Sequence, residues 1–141
     1  MFKYISTLEK KRIIHSDLKP ENILTAGFEP KVSDLGCAAE ISTECKDFEK
    51  GTFGYMAPEV FDRAAGQESY NNSRVDVFSA GVVAIWIHSG ANPFFKHNSI
   101  EVDMDTYRLL KEERYDAFWA RAADVPHSKK PTFSDDFKEI V

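Results

Sequence analysis

Polar residues near the start of the sequence have the types and the spacing that phosphoryl transfer requires. Asp17, Lys19 and Asn22 lie within the stretch HSDLKPENIL, and Asp34 follows twelve residues after Asn22. A carboxylate such as Asp17 can orient an attacking hydroxyl group and accept its proton. A lysine two residues further on can neutralise the negative charge that develops on the transferred phosphoryl group.

Asn22 and Asp34 complete this chemistry as a pair of oxygen ligands for a cation. Mg²⁺ prefers hard oxygen donors, uses few protein ligands and keeps substrate phosphates in its coordination shell. A carboxamide and a carboxylate therefore suit a magnesium site that also holds a nucleotide. Considered alone, Asp17 or Asp34 is interpreted as a turn or capping acid, and Asn22 as a turn residue.

Short strands are predicted around these residues. The sequences RII (12–14), NIL (22–24) and PKVSD (30–34) are strand candidates. Gly27, between the last two, can close a β-hairpin. Residues 36–58 are polar with little periodicity, which predicts a long loop of the kind that is usually functional or disordered.

The rest of the chain is predicted to be mainly helical. Apolar residues at helical spacing, with no capping residue before them, predict that the chain opens inside a helix around residues 4–8. The stretch from Ser73, as N-cap, to Gly90, as C-terminal stop, is apolar nearly all round and predicts a buried helix. Two amphipathic helices are predicted within 99–123. A last helix is predicted to begin after Ser134, and we expect the chain to stop inside it.

Composition and charge narrow the class of protein. The chain has 141 residues, of which 43% are hydrophobic and 29% charged, as in an ordinary globular domain. Its formal net charge of -5 argues against nucleic-acid and anionic-membrane partners, because both are bound by excess Lys and Arg. Cys37 and Cys45 are too few for a disulfide scaffold. Without a secretory signal or a long apolar run, we expect an intracellular, cytoplasmic protein with no membrane segment.

Four motifs, in the same order and spacing, resemble those of the eukaryotic serine/threonine protein kinases. HSDLKPENIL is similar to the catalytic loop, SDLG (33–36) to the metal-binding Asp-Phe-Gly, and GTFGYMAPE (51–59) to the end of the activation segment. DVFSAGVVAIWIHSGANPF (76–94) resembles the buried helix that anchors the catalytic loop. The shapes of GTFGYMAPEVF and HSGANPF lean toward the calcium/calmodulin-dependent kinase-like branch.

This resemblance implies a partial kinase fold. Residues 1–141 would be most of the large, C-terminal lobe, mainly α with a small β-hairpin, running from the end of the helix before the catalytic loop to the start of a late helix. The small lobe that covers ATP would be missing. The implied cofactors are ATP and Mg²⁺, and the implied partners are protein substrates with serine or threonine acceptors.

The resemblance also implies a role for individual residues. Asp17 would be the catalytic base, Lys19 would contact the γ-phosphate and the hydroxyl group, and Thr52 would brace both. Asp76 would hydrogen-bond the catalytic-loop backbone, and His15 would belong to an internal hydrophobic spine. The Mg²⁺ ligands would be Asn22 and Asp34, and Leu24 would form the floor under adenine. The nucleotide-binding residues would be Lys19, Glu21, Asn22, Leu24 and Asp34.

The sequence also departs from the family pattern. Ser16 stands where the family usually has an arginine that receives a phosphate from the activation segment, so control by that route is expected to be weak or absent, although Ser42 and Thr43 could be modified. Leu35 replaces the usual phenylalanine. The chain contains no Gly-x-Gly-x-x-Gly and no Val-Ala-x-Lys lysine. By the resemblance, it also ends before the family's downstream arginine that would pair with Glu59. We therefore expect the isolated chain to be poorly stable and to have negligible phosphotransfer activity.

Two other interpretations of the chain stay open at this point. A non-catalytic kinase-like module would dock protein partners, although such a module needs none of the four polar residues. An α-rich domain with accidental motifs is the other. Among single residues, Cys37 is either a reactive thiol near a nucleotide pocket or an inert one, and Trp86 and Trp119 are predicted core anchors.

Overall fold

The computed structural model describes residues 1–27, 29–61, 66–96, 99–124 and 131–140. The strands are β1 (Ile13–Ile14), β2 (Ile23–Ala26), β3 (Glu29–Val32) and β4 (Ala39–Glu40). The α-helices are α1 (Phe2–Lys10), α2 (Pro58–Phe61), α3 (Val75–Ser89), α4 (Met104–Lys111), α5 (Tyr115–Ala122) and α6 (Asp135–Ile140). The chain divides into two units, Met1–Ala80 and Gly81–Val141. Within the described residues, no helix has both the length and the apolarity needed to cross a bilayer.

The strands form two antiparallel pairs. β2 and β3 form the predicted hairpin, in which Ile23 lies opposite Val32. β4 pairs with β1, so that Ile14 lies opposite Ala39. The prediction of a loop from residue 36 onward missed β4. Its partner β1 is about 25 residues away in sequence, and local periodicity does not reveal a pairing over that distance.

The core of the first unit packs against β1, the strand that leads to the candidate site. One cluster of buried side chains contains Ile14, Met56, Ala57, Val60, Tyr70 and Val75. A second cluster joins Leu18, which is fully buried, to Ile5 of α1 and Ala80 of α3. Burying a leucine side chain contributes about 1.5–3 kcal/mol. Because Ile14 and Leu18 flank residues 15–17 on both sides, the start of the HSDLKPENIL stretch is anchored in the core before and after Asp17.

Helix α3 confirms the predicted helix only in part. It begins at Val75, two residues beyond the predicted cap Ser73. Gly90 does stop the helix, with a φ of 77° and its N–H donating to the carbonyl of Trp86 over 2.8 Å. The prediction of burial all round is wrong near the C-terminus, since Ile87 is 69% exposed and Trp86 39% exposed. Trp86 is therefore not a core anchor.

The second unit has an aromatic core. Phe94 is fully buried and stacks on Tyr107 of α4, with ring centroids 4.1 Å apart. Phe118 of α5 lies 5.9 Å from Phe94 and 5.1 Å from Trp119, measured between centroids. Trp119 also contacts Phe133 at 5.0 Å, which confirms it as a core anchor. The two amphipathic helices predicted for this region are α4 and α5, and Ser134 caps α6 as predicted by accepting from the N–H of Phe137.

A buried aspartate ties α4 to α5. The carboxylate of Asp103 accepts hydrogen bonds from the backbone N–H of Asp105 (3.1 Å), from Thr106 Oγ1 (3.0 Å) and from Arg121 Nε (2.8 Å). Burial alone raises the pKa of Asp103, but the hydrogen bonds from Arg121 and Thr106 outweigh burial and hold that pKa below its usual value.

Replacement of Arg121 should make the fold less stable and less sensitive to acid. The carboxylate of Asp103 stabilises the folded chain above the pKa of an unfolded aspartate, about 3.9, and loses this effect as the pH falls through its lower folded pKa. Arg121→Ala should lower the free energy of unfolding at neutral pH by about 1–3 kcal/mol, because it removes one partner of a buried carboxylate. The loss is not larger because the arginine side chain is partly exposed to solvent. Urea unfolding near neutral pH and near pH 3 measures both effects.

The matched control is Arg108→Ala. Arg108 pairs with Asp105 on the surface, and both side chains are 64% exposed. The control should change the free energy of unfolding by less than about 0.5 kcal/mol at either pH. Equal losses for the two variants would contradict the assigned importance of the buried pair.

Candidate active site

A hydroxyl group joins the two charged residues of the HSDLKPENIL stretch. Thr52 Oγ1 donates to Asp17 Oδ1 over 2.6 Å and accepts from Lys19 Nζ over 2.7 Å. Lys19 Nζ also lies 3.1 Å from Asp17 Oδ2. The structure thus brings together the three residues for which a catalytic role was predicted, although Thr52 is more than thirty residues away in sequence. The Asp17 side chain is 11% exposed, so the carboxylate is held firmly but still reaches solvent.

Asn22 is held against the same carboxylate. Its Nδ2 donates to the backbone carbonyl of Asp17 (2.9 Å) and to Asp17 Oδ2 (3.3 Å). The residue is buried, and it ends the 3-10 helix Pro20–Asn22 that leads into β2. Because the amide nitrogen faces Asp17, Oδ1 is the atom of Asn22 that can be offered to a cation.

His15 is a packed core residue, as predicted. It is fully buried, its Nδ1 accepts from the backbone N–H of Asp17 (3.3 Å), and its Nε2 lies 2.9 Å from the carbonyl oxygen of Ser33. These partners fit a neutral imidazole with its proton on Nε2, because one ring nitrogen must accept and the other donate. The ring therefore connects the backbone at Asp17 to the residue that precedes Asp34.

A buried carboxylate on α3 fixes the backbone before Asp17. Asp76 Oδ2 accepts from the N–H of His15 (2.6 Å) and Oδ1 from the N–H of Ser16 (2.9 Å). Ser16 has a φ of 68°, in the left-handed region that non-glycine residues rarely adopt. Burial raises the pKa of Asp76 more than these hydrogen bonds lower it. Both oxygens of Asp76 are thus used to hold the turn that presents Asp17.

Gly51 marks the closest approach of the GTFGYMAPE segment to this turn. Its φ is 120°, and a Cβ at this position would lie 2.4 Å from the carbonyl oxygen of Ser16. The next residue is Thr52, so the close approach is what delivers the hydroxyl group to Asp17. Sequence reasoning did not assign a role to Gly51, and the only available signal was its place directly before Thr52.

Asp34 lies at the far end of the hairpin in a constrained backbone conformation. It has a φ of 63°, its side chain is exposed, and its Oδ1 accepts from the N–H of Gly36 over 3.1 Å at the start of the 3-10 helix Leu35–Cys37. It therefore does act as a capping acid. Ser33, just before it, donates its N–H to the carbonyl of Asn22 over 2.9 Å.

The structure does not bring every predicted site residue into contact. Among the described residues, no hydrogen bond or ion pair joins Asp34 to Asp17 or Asn22, and no three His, Cys, Asp or Glu side chains converge as a metal site. Leu24, on β2, is 54% exposed, and Glu21 is also exposed. Cys37 is a free, partly buried thiol, which leaves both interpretations of it open.

Comparison with known proteins decides the family. The family model described as "Protein kinase domain" matches residues 1–141. The chain belongs to the protein kinase family. It is 32% identical over 126 residues to "Serine/threonine-protein kinase KSP1" of Saccharomyces cerevisiae, an alignment that covers 85% of this chain and 12% of the yeast protein.

Two plant proteins are also similar to this chain. "CBL-interacting protein kinase 26" of Oryza sativa subsp. japonica is 34% identical over 116 residues, which are 79% of this chain and 22% of that protein. "Rust resistance kinase Lr10" of Triticum aestivum is 41% identical over 85 residues, covering 57% of this chain and 13% of the wheat protein. The chain thus spans between 12% and 22% of the length of these three relatives.

Removal of the Asp76 carboxylate should destabilise the chain strongly. Asp76→Ala leaves the buried N–H of His15 and the partly buried N–H of Ser16 without their partner. An unsatisfied buried donor costs about 1–3 kcal/mol, and the partly exposed Ser16 donor costs less than a buried one, so we expect the free energy of unfolding to fall by about 2–4 kcal/mol. Denaturant unfolding at neutral pH measures this loss. Glu68→Ala, at an exposed position, should stay within about 0.5 kcal/mol of the wild type, and a similar result for Asp76→Ala would contradict the interpretation.

A methyl group at Gly51 should separate Thr52 from Asp17. The contact it would make is with backbone, which cannot move aside as a flexible side chain can. Gly51→Ala should therefore lower the free energy of unfolding by more than about 2 kcal/mol. The matched control is Gly27→Ala, where φ is 69°. Apart from the two chain neighbours, no atom of the described residues lies within 4 Å of the added Cβ, so only the cost of the backbone angle, about 1 kcal/mol, is expected. Equal losses in denaturant unfolding would rule out a steric role for the Gly51 approach.

Proposed function

We propose that the chain is the large-lobe part of a protein serine/threonine kinase domain, which transfers the γ-phosphoryl group of ATP to serine or threonine hydroxyl groups of proteins. One observation carries this proposal. Asp17 and Lys19 both hydrogen-bond to the hydroxyl group of Thr52, and Asn22 lies against the Asp17 carboxylate. Such an arrangement is costly for a chain that only docks partners, because it confines a carboxylate and an ammonium group in a partly buried setting.

Asp17 is the proposed catalytic base. One of its oxygens is engaged by Thr52, and the other faces Lys19 and Asn22, so the carboxylate cannot rotate freely. A fixed carboxylate aligns the substrate hydroxyl group and accepts its proton as the bond to phosphorus forms. Lys19 supplies a positive charge beside the same point and stabilises the charge on the transferred phosphoryl group.

Asn22 and Asp34 are the proposed Mg²⁺ ligands, and ATP bound with Mg²⁺ is the proposed cofactor. The ligand atoms would be Asn22 Oδ1 and the Asp34 carboxylate, both of the hard oxygen type that Mg²⁺ prefers. The register of the hairpin supports the pairing, because Ser33 is hydrogen-bonded to Asn22 and Asp34 follows it directly. When bound, the ion neutralises phosphate charge. The nucleotide would also contact Lys19, Glu21 and Leu24.

Regulation of this site should not depend on the binding of an activation-segment phosphate by residue 16. Ser16 offers no cation, and its backbone is committed to Asp76. Phosphorylation of Ser42 or Thr43 in the segment after Asp34 would therefore lack the usual arginine partner. The calcium/calmodulin-dependent branch and an intracellular, cytoplasmic location both stay predictions.

Residues 1–141 are proposed to be a partial kinase domain, without the small lobe and hence without half of the nucleotide clamp. Because phosphoryl transfer depends mostly on positioning and electrostatics, the chain alone should have negligible activity. The alternative is a non-catalytic kinase-like module that docks protein partners. The intact Asp17, Lys19 and Thr52 arrangement favours the kinase.

A phosphotransfer assay separates these functions. The enzyme in the assay is the longest polypeptide of the same gene that contains this chain. It is incubated with γ-labelled ATP, Mg²⁺ and peptides that contain serine and threonine, and labelled peptide is expected. Asp17→Asn should lower the rate by about 10²–10⁴-fold, the usual contribution of a positioned base. Glu68→Ala, at an exposed position, should leave it unchanged. Absence of transfer by the wild type would favour the docking module. Transfer at an equal rate by Asp17→Asn would instead overturn the proposed role of Asp17 as the catalytic base. Turnover by the 141 residues alone would refute the predicted need for a small lobe.

A further inference from the structure

Asn72, in the loop before α3, is a fully buried carboxamide that neither the sequence motifs nor the proposed mechanism uses. Its Oδ1 accepts from the N–H of Ser42 over 2.8 Å, and its Nδ2 donates to the carbonyl of Glu40 over 2.9 Å. Its backbone N–H donates to the carbonyl of Ser42 over 3.1 Å. A single residue therefore satisfies three main-chain groups of the segment 40–42, much as a neighbouring strand would.

The segment that Asn72 holds continues directly from Asp34. Between Asp34 and Glu40 lie only the 3-10 helix Leu35–Cys37, Ala38 and the first residue of β4. Before Asp34, Ser33 is fixed to Asn22 by a hydrogen bond of 2.9 Å. Asp34 thus lies in a short span that is fixed at both ends, and a backbone with a φ of 63° persists only where its surroundings hold it.

Asn72 also lies four residues before Asp76. Asp76 holds the backbone N–H groups of His15 and Ser16, whereas Asn72 holds Glu40 and Ser42. The beginning of α3 therefore fixes two segments at once, the turn before Asp17 and the span after Asp34. The pairing of β1 with β4 joins the same two segments from the other side.

We propose that Asn72 is a positioning residue for the phosphotransfer, which sets the location of Asp34, and with it Mg²⁺ and ATP, relative to Asp17. This inference rests on the proposed function. Loss of the carboxamide removes the side-chain partners of the Ser42 N–H and the Glu40 carbonyl. The far end of the span from Asp34 is then held by the pairing of β4 with β1 and by the Asn72 backbone N–H, so its position is less firmly fixed. The effect should be on the binding of Mg²⁺ and ATP. Asp17 keeps its contacts with Thr52 and Lys19, and Asp76 still holds the backbone at Ser16, just before Asp17.

The test compares Asn72→Ala with Asn71→Ala in the longest polypeptide that contains this chain. Asn71 is exposed, and its side chain accepts only within its own turn, from the N–H of Ser73. Asn72→Ala should raise both the KM for ATP and the Mg²⁺ concentration at half-maximal rate by about three- to tenfold, the equivalent of one or two hydrogen bonds. The KM for the peptide should change by less than about twofold, and Asn71→Ala should match the wild type.

A merely structural residue would give a different pattern. Partial unfolding would lower the apparent kcat through a smaller active fraction while the dependence on Mg²⁺ and ATP stayed as in the wild type, and that pattern overturns the proposal. Asn72→Ser is made in parallel for the case in which the alanine variant fails to fold. Its hydroxyl group can keep one of the side-chain hydrogen bonds, so it should raise the Mg²⁺ requirement by a smaller factor, and no change in that requirement again overturns the proposal.

Hydrogen exchange separates failure of this inference from failure of the proposed function. The Ser42 amide should be protected in the wild type and in Asn71→Ala, and should lose protection in Asn72→Ala. Unchanged protection in Asn72→Ala would overturn the inference even if the protein is an active kinase. A wild type without Asp17-dependent transfer would instead remove the proposed function, and the catalytic part of this inference with it.

Discussion

The buried carboxylate of Asp76 is the interaction on which the candidate site depends. It satisfies two consecutive backbone N–H groups, the buried one of His15 and the partly buried one of Ser16. These two groups define the turn from which Asp17 projects. The pKa of Asp76 is raised because burial disfavours its charge. The hydrogen bonds from His15 and Ser16 offset part of that cost and fix the turn. The carbonyl group of the same turn is the one that Gly51 approaches.

Much of the site could be predicted from the sequence because its members are close in the chain or carry recognisable spacing. Asn22 contacts Asp17 five residues away, and the hairpin that brings Ser33 beside Asn22 follows from a local strand-turn-strand pattern. The prediction that His15 packs in the core, which the family resemblance implied, was also right. Helices α4 and α5 were also predictable, because their apolar residues repeat at helical intervals.

The parts that sequence reasoning missed involve partners far apart in the chain. The pairing of β1 with β4, the bonds of Asn72 to Glu40 and Ser42, and the approach of Gly51 to Ser16 each join residues about 25 to 35 positions apart. Such contacts leave no periodicity, and a buried asparagine looks in sequence like any other loop residue. The wrong prediction for Trp86 has another cause: an apolar helix predicts burial all round, although the described surroundings leave that side chain 39% exposed.

The hydroxyl group of Thr52 makes the orientation of Asp17 conditional on a distant segment. A hydroxyl can donate one hydrogen bond and accept another, and here it does both, toward a carboxylate and an ammonium group. Were residues 51–59 to leave their place, Asp17 Oδ1 would lose the Thr52 hydroxyl group. Within the described residues, only the contacts of Oδ2 with Lys19 and Asn22 would then restrain the carboxylate. The orientation of the Asp17 carboxylate thus depends on the position of residues 51–59 through the Thr52 hydroxyl group. A displacement of Thr52 that only lengthens its contact with Asp17 Oδ1 would therefore be enough to free that oxygen.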